Sequence, residues 1–148
     1  MPIKSFRGML ADLAKETIHL ATNDGSTGYR IKKFQLIGRT PGSMTIESVV
    51  KIYKIPQTGT PDGTVDFSDN TLLAAGYYID NSNAVYPGFE TIVFDNEIFN
   101  QDIYITHFDA STSEFINYYL ELEQVKLSLD ENTVATLKDI RNIEAQYV

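Results

Sequence analysis

The sequence predicts an all-β protein: a two-sheet antiparallel sandwich, jelly-roll-like, with a short C-terminal α-helix. Apolar and polar residues alternate with period two in about eight short segments, which is the pattern of strands with one buried face. Turn-forming residues separate these segments, and a helical pattern follows near the end of the chain. The length of 148 residues suits one domain, so we expect a single domain over 1–148.

Two strands are predicted early in the chain. Residues 16–20 alternate between polar and apolar side chains, and Asn-Asp-Gly at 23–25 has the composition of a tight turn. We therefore expect residues 28–37 to form a hairpin with 16–20. Within this second strand the apolar residues change face near Lys32 and Lys33, which predicts a β-bulge or a bend between two sheets.

Longer strand patterns follow. Residues 43–55 form the longest alternating run. Residues 71–79 are apolar on both faces, which is typical of a central strand. The alternation continues in 91–94, 98–108 and 114–127. Short strands at such close intervals indicate a two-sheet sandwich.

A helix is predicted over residues 129–147. Ser128 and Glu131 match the capping box, in which two side chains satisfy free backbone N–H groups at the start of a helix. Apolar residues then recur at helical spacing and form one stripe: Val134, Leu137, Ile140, Ile143 and Tyr147. We expect the stripe to pack on its own domain. The alternatives are docking on a neighbouring subunit and packing against the same helix in a symmetric trimer.

Charge is segregated along the chain. The first 54 residues carry nine Lys and Arg against four Asp and Glu, whereas the span between Lys54 and Lys126 has no Lys or Arg and twelve acids. Such a chain can bind copies of itself or an oppositely charged partner, and basic strands can equally pair with acidic strands inside one fold. The net charge of −8 argues against a nucleic-acid partner, because a phosphate backbone attracts clustered Lys and Arg.

Composition excludes further classes of protein. The chain has no cysteine, which rules out disulfides, thiolate metal sites and cysteine nucleophiles. No apolar run approaches the roughly 20 residues of a membrane-spanning helix, so we expect no membrane partner. The first residues lack the continuous apolar stretch of a signal peptide, which predicts synthesis in the cytosol.

Motifs for catalysis are missing from the sequence. The two histidines, His19 and His107, lie in strand patterns, and we expect each to be a strand-surface residue. No Gly-x-Ser-x-Gly motif accompanies them, so a serine triad is not indicated. Alternation puts Glu121 and Glu123 on one face, as glycoside hydrolysis requires, but an acidic protein offers such pairs by chance. We therefore predict a non-enzymatic protein with no catalytic residues and no cofactor.

One acidic segment has the composition of a calcium site. Asp62, Asp66 and Asp69 crowd a short turn-rich stretch, and hard oxygen ligands of this kind suit calcium. Their spacing does not match the calcium-binding loop of EF-hands, and solvated turn residues explain them as well. We therefore predict no metal site.

Aromatic residues provide a different kind of candidate site. Such rings could line a sugar-binding face, which makes a glycan-binding β-sandwich module an alternative function. The candidates are Tyr77, Tyr78, Tyr86, Phe89, Tyr104, Tyr118 and Tyr119. Where two Tyr are adjacent in a strand, however, we expect one ring in the core and one at the edge.

The N-terminal arm, residues 1–14, is the candidate interface. It precedes the first convincing strand and carries apolar residues interleaved with two basic ones. The candidate interface residues are Ile3, Lys4, Phe6, Arg7, Met9 and Leu10. Since so much apolar surface is unfavourable in water, the arm must pack on its own sandwich or on a neighbouring subunit. The second case predicts a homo-oligomer, in the first place a trimer.

Several stretches resemble small virion proteins of marine tailed bacteriophages. The similar stretches are KSFRGMLAD, LATNDGSTGYRIKKFQLI, ESVVKIYK, DFSDNTLLAAGYY and LKDIRN, which extend over most of the chain. The resemblance implies a structural virion component, in the first place a capsid decoration (cement) protein that lies on the capsid surface as an oligomer, commonly a trimer, and binds the major capsid protein. It implies no active-site residues. The alternative is a tail- or fibre-associated virion component.

Overall fold

The computed structural model of the protein describes residues 2–20, 25–81 and 88–128, and the regular structure of this part is entirely β. Its strands are β1 (Ile3–Leu10), β2 (Lys15–Ile18), β3 (Thr27–Gly38), β4 (Thr45–Tyr53), β5 (Leu72–Asn81), β6 (Gly88–Val93), β7 (Ile103–Asp109) and β8 (Ile116–Lys126). They pair antiparallel in two sheets, so the predicted all-β fold with two antiparallel sheets is confirmed. The helix predicted at 129–147 lies outside the described residues.

The two sheets pack face to face. The three-stranded sheet has the order β1-β8-β3 and the five-stranded sheet the order β2-β7-β4-β5-β6, so β5 is an interior strand, as predicted. Inward-facing residues form the hydrophobic core, in which Leu10, Val50 and Leu120 are fully buried. Gly76 of β5 permits the close approach of β3, because a Cβ atom there would lie 2.6 Å from the side chain of Leu36.

Strand β3 carries the predicted bulge. Its register with β8 shifts between Ile31 and Lys33. The extra residue reverses the alternation, so that Tyr29 and Ile31 before the bulge and Phe34 and Leu36 after it are all buried. One long strand therefore covers the core along its whole length.

Two predictions about the beginning of the chain are wrong. Strands β2 and β3 do not form a hairpin, since β2 pairs with β7 and β3 pairs with β8 in the other sheet. Turn residues indicate where a chain reverses, but not whether it stays in the same sheet. Residues 1–14 are not an arm ahead of the first strand, since Ile3–Leu10 is itself β1 and pairs with β8. The polar residue Lys4 and the glycine Gly8 interrupt its inward face and hide the strand pattern.

Candidate functional site

The inward residues of β1 belong to the core of the protein. Leu10 is fully buried, and Phe6 is half-buried and packs against the core. Lys4 is exposed, with its Nζ 5.7 Å from the centre of the Phe6 ring. Leu10 therefore cannot contact a partner, which corrects its place among the interface residues, and Phe6 offers only part of its ring.

The other candidate interface residues lie on the outer face of the three-stranded sheet, which we name the basic face. In β1, Ile3 and Met9 are 53% and 47% exposed, and Arg7 between them is exposed as well. The registers of β1 and β3 with β8 place further charged, apolar and polar residues on this face, which comprises Ile3, Ser5, Arg7, Met9, Arg30, Lys32, Lys33, Gln35, Ile37, Asn117, Tyr119, Glu121 and Glu123. It combines four basic side chains with two acidic ones and with exposed apolar residues.

Inside the fold, basic residues from the first part of the chain form ion pairs with acidic residues from the later part. On the basic face, Arg30 Nη2 lies 2.8 Å from Glu123 Oε1. In the five-stranded sheet region, Lys54 Nζ lies 2.7 Å from Glu97 Oε2. Each ion pair between described residues likewise joins a basic residue among the first 54 to an acid after Lys54. The interpretation that basic strands pair with acidic ones inside one fold is confirmed for this part of the chain.

Three cations of the basic segment form no ion pair with a described residue. Lys4 and Arg7 of β1 form no ion pair with any residue in 2–20, 25–81 or 88–128. Lys15 also lacks a carboxylate there, but its Nζ donates a hydrogen bond to the carbonyl oxygen of Gly59 at 3.0 Å. Strand β1 therefore presents positive charge that its own fold does not balance.

Glu121 and Glu123 face outward, as predicted, and both are held by neighbours. A hydrogen bond from Arg30, with further attraction from Arg30 and Lys32, lowers the pKa of Glu123. The Tyr119 hydroxyl donates to Glu121 Oε2 at 2.7 Å. The general acid of a glycosidase needs a carboxyl whose pKa is raised, whereas the pKa of Glu123 is lowered, so Glu123 is suited to ion pairing.

The two histidines differ in position. His19 is exposed, as predicted, but His107 lies on the inner face of β7 and is fully buried, which corrects its surface assignment. His107 Nδ1 donates to the carbonyl oxygen of Ala11 at 2.9 Å, so Nε2 accepts from the Ser48 hydroxyl at 2.7 Å. Burial lowers the pKa of His107. The Ser–His pair has the geometry of a nucleophile and base, but both side chains are fully buried, so a substrate cannot reach them.

Asp109 is a second buried polar residue that sequence reasoning missed. Its carboxylate accepts backbone N–H groups from Glu47 at 2.9 Å, from Glu114 at 2.7 Å and from two residues of the intervening turn. Burial alone would raise the pKa of Asp109, but these N–H groups together lower it. The Asp109 N–H donates in turn to Asp12 Oδ1 at 2.7 Å. This residue therefore fixes the turn before β8 and the connection between β1 and β2.

The acidic segment weighed as a calcium site is built of turns. Asp62, Asp66 and Asp69 each accept, through Oδ1, the backbone N–H of the residue two positions further on, at 2.9–3.0 Å. No group of three or more metal-ligating side chains occurs within the described ranges. The three acids line a cavity of about 230 Å³ together with Lys51 and Tyr53, which we name the polar pocket.

The aromatic residues weighed as a glycan face do not share a face. Tyr78 and Tyr118 are buried, whereas their neighbours Tyr77 and Tyr119 face outward, as expected for adjacent Tyr pairs. Tyr77 belongs to the five-stranded sheet and Tyr119 to the three-stranded sheet, so the outward rings lie on opposite sides of the sandwich. Tyr86 lies outside the described residues. The predicted aromatic set is therefore divided.

No protein-family model matches the chain, and comparison with curated proteins finds no match. Within the part of the chain that the structure describes, no helix has the length and apolar character needed to cross a bilayer.

Proposed function

We propose that the chain is a non-enzymatic virion structural protein, a capsid decoration (cement) protein, which binds the major capsid protein and copies of itself through the basic face. The observation that carries the proposal is the uncompensated charge of Arg7 on this face and of Lys4, its exposed neighbour in β1; neither forms an ion pair with a described residue. The resemblance to phage virion proteins supplies the setting, a homotrimer on the capsid surface.

The chemistry of the basic face suits an acidic protein surface. Its two glutamates are already neutralised by Arg30, Lys32 and Lys33, so Arg7 adds net positive charge toward a partner. Ile3, Met9 and Ile37 are each about half exposed on the same face and supply apolar area to bury. Such a surface attracts an acidic partner at long range and retains it by apolar contact.

A jelly-roll topology is part of the proposal. A jelly roll is a folded-over hairpin of eight strands, in which the first strand pairs with the last and the pairing continues inward. Support comes from the pairs β1–β8, β2–β7 and β4–β5, and from the contact of β3 with β6, although β6 is hydrogen-bonded to β5. Virus capsid proteins and lectins both use the jelly-roll topology.

The predicted helix over 129–147 is proposed as a second element that docks on the capsid.

Addition of the purified chain to preformed capsid shells tests the proposal. We expect it to bind and to raise the temperature at which the shells open, because a ligand that binds only the intact shell stabilises it by mass action. Mass spectrometry of purified particles should find the chain at a copy number that matches a capsid lattice. A tail or fibre component would instead appear in a few copies and leave shell stability unchanged.

Charge reversal on β1 tests the role of the basic face and of Lys4 beside it. The double variant Lys4→Glu with Arg7→Glu should bind shells at least tenfold more weakly, and higher salt should weaken the wild-type protein in the same direction. Lys126→Glu is the matched control, since Lys126 is an exposed cation of the same sheet outside the basic face. Equal shell binding by the double variant and the control would contradict the role of the basic face.

A further inference from the structure

Strand β1 has one side without a partner strand. It lies at the edge of the three-stranded sheet, where β8 is its partner among the described strands. The Gln124 N–H donates to the carbonyl oxygen of Pro2 at 2.9 Å, and in an antiparallel ladder such bonded pairs alternate with pairs that exchange no hydrogen bonds. Every second residue of β1 therefore bonds to β8. The residues between them direct their backbone N–H and C=O groups away from β8, and we name them the free edge: Ile3, Ser5, Arg7 and Met9.

The free edge stays unpaired within the described part of the chain. None of its residues forms a backbone hydrogen bond to a described turn or loop. The opposite edge of the same sheet is different, since Tyr29 of β3 exchanges two backbone hydrogen bonds with Phe99, at 2.8 and 3.0 Å. A row of unpaired N–H and C=O groups along an exposed strand is a template for one further strand. The free edge therefore fits a strand as its partner better than it fits a small ligand.

The spacing within the free edge fits a second copy of the same strand. In an antiparallel pair centred on Phe6, Ile3 lies opposite Met9 of the second copy, and Ser5 lies opposite Arg7 of the second copy. Each of these pairs exchanges both of its backbone hydrogen bonds, so no residue of the free edge is left over. A shift of the register by two residues in one direction places Arg7 opposite Arg7, and a shift in the other direction leaves Met9 without a partner. The register centred on Phe6 is therefore the one that satisfies the whole free edge.

Side chains on both faces of β1 fit this register. On the outer face, Ile3 and Met9 are 53% and 47% exposed in the single chain and would cover each other at both ends of the pair. On the inner face, a charged residue of an edge strand discourages the addition of another strand. Lys4 is such a residue, but in this register it lies opposite Gly8, which has no side chain. The absence of a side chain also suits the chain's own fold, because a Cβ atom at Gly8 would lie 2.9 Å from the Tyr118 ring.

We propose that the free edge of β1 binds the free edge of a second copy of this chain, antiparallel and centred on Phe6, so that the two three-stranded sheets become one continuous sheet. The contact is isologous and has two-fold symmetry, so within a trimeric arrangement it joins neighbouring trimers. The basic face continues across the contact and stays open to an acidic partner. The inference specifies the self-association in the proposed function and rests on that part of it, whereas the capsid role does not depend on it.

Disulfide crosslinking tests the register on the intact chain, which has no cysteine of its own. In the double variant Ile3→Cys with Met9→Cys, the introduced thiols of two copies lie opposite each other at both ends of the pair, with Cα atoms about 5.5 Å apart. We expect oxidised glutathione to convert most of this variant into a covalent dimer. Ile3→Cys alone is the matched control, because its two thiols would lie about 20 Å apart at ~3.4 Å per residue. It should give little covalent dimer on a non-reducing gel.

Removal of one backbone donor tests the hydrogen bonds of the free edge. Ser5→Pro deletes an N–H that faces away from β8, and proline is tolerated at such positions of an edge strand. Ser5→Ala is the matched control, since both variants lose the hydrogen bond between the side chains of Ser5 and Tyr119 and only Ser5→Pro loses the N–H. Sedimentation should show about tenfold weaker association for Ser5→Pro and no loss for Ser5→Ala. Thermal unfolding shows whether Ser5→Pro is folded, and the crosslinking test decides alone if it is not.

Salt separates this contact from shell binding. The Arg7 side chains of the two copies are diagonal neighbours across the pair, so screening relieves their repulsion and association should tighten as salt rises. Shell binding should weaken over the same range, because it depends on attraction between opposite charges.

Three outcomes would overturn the proposal. The first is an equal amount of covalent dimer from the double variant and from Ile3→Cys alone. The second is equal association by folded Ser5→Pro and Ser5→Ala, and the third is association that weakens as salt rises. A failed crosslinking test with intact shell binding would leave the capsid role standing. Crosslinking without shell binding would leave the contact between free edges standing and remove the capsid role.

Discussion

Basic residues behave differently in two regions of the molecule. At β4, the side chains of Lys51 and Lys54 are 6% and 1% exposed, and each lies beside a carboxylate. On β1, Lys4 and Arg7 are exposed and have no ion-pair partner among the described residues. A charge removed from water must be paired, whereas an exposed one is free to meet a partner. The basic residues at β4 therefore stabilise the fold, whereas those of β1 remain free to bind a partner.

The largest expected effect is on the stability of the β4 region. Glu97→Ala leaves the Lys54 ammonium buried without its carboxylate, and we expect the free energy of unfolding to fall by about 3 kcal/mol. Glu114→Ala is the matched control, because its partner Arg39 is 45% exposed and the ion pair is 3.5 Å long. It should cost under about 1 kcal/mol. Urea titration measures both, and equal losses would show that burial does not separate the two pairs.

A second prediction divides β1 by face. Phe6→Ala removes a half-buried ring that packs against the core, and we expect a loss of about 2 kcal/mol in unfolding free energy. Met9→Ala on the outer face should change stability by less than about 0.5 kcal/mol. If the basic face binds other copies of the chain, sedimentation should show weaker self-association for Met9→Ala than for wild type, and no such change for Phe6→Ala. A stability loss from Met9→Ala as large as that from Phe6→Ala would contradict the assignment of faces.

The residue pattern within each strand could be predicted from the sequence, but the strand with which it pairs could not. The bulge in β3 was predicted because the apolar residues change phase at Lys32 and Lys33, and phase is a local property. The false hairpin of β2 with β3 and the missed strand β1 have the same cause. Strand β1 pairs with β8, which is more than 100 residues away, for example Ile3 with Glu123. Nothing local to β1 encodes that choice.

In the candidate sites, the burial and the neighbours of polar residues were what the sequence did not predict. His107 is in phase with the buried Ile103 and Ile105, and this signal was available, but the polarity of the ring suggested a surface position. Asp62 was recognised as part of an acidic segment. Its nearness to Lys51 and Tyr53 depends on how the connection after β4 folds back over the sheet, which no local pattern specifies.

The smallest expected effect is a pH dependence of the connection that follows β1. The connection between β1 and β2 is tied to β7, because His107 Nδ1 donates to Ala11 and the Leu13 N–H donates to the His107 carbonyl oxygen at 3.0 Å. Leu13 has a φ of 65°, a left-handed conformation that is unfavourable for leucine, so the connection depends on these bonds. Protonation of His107 would place a positive charge in the interior, next to the connection between β1 and β2.

Because burial lowers the pKa of His107 below its usual 6.5, the unfolded chain binds a proton at a higher pH than the folded protein. The corresponding stability is complete above pH 6.5 and is lost as the pH falls from there toward the folded pKa. Asp109 acts in a separate window, since its lowered pKa gives stability that is lost only below its usual 3.8. We expect urea titrations from about pH 7.5 to 5 to show falling stability in wild type and a flatter profile in His107→Asn. The protection factor of the Leu13 N–H against hydrogen exchange should fall over the same range. An unchanged pH slope in His107→Asn would show that other groups control the acid response and that β1 is not tied to β7 through this ring.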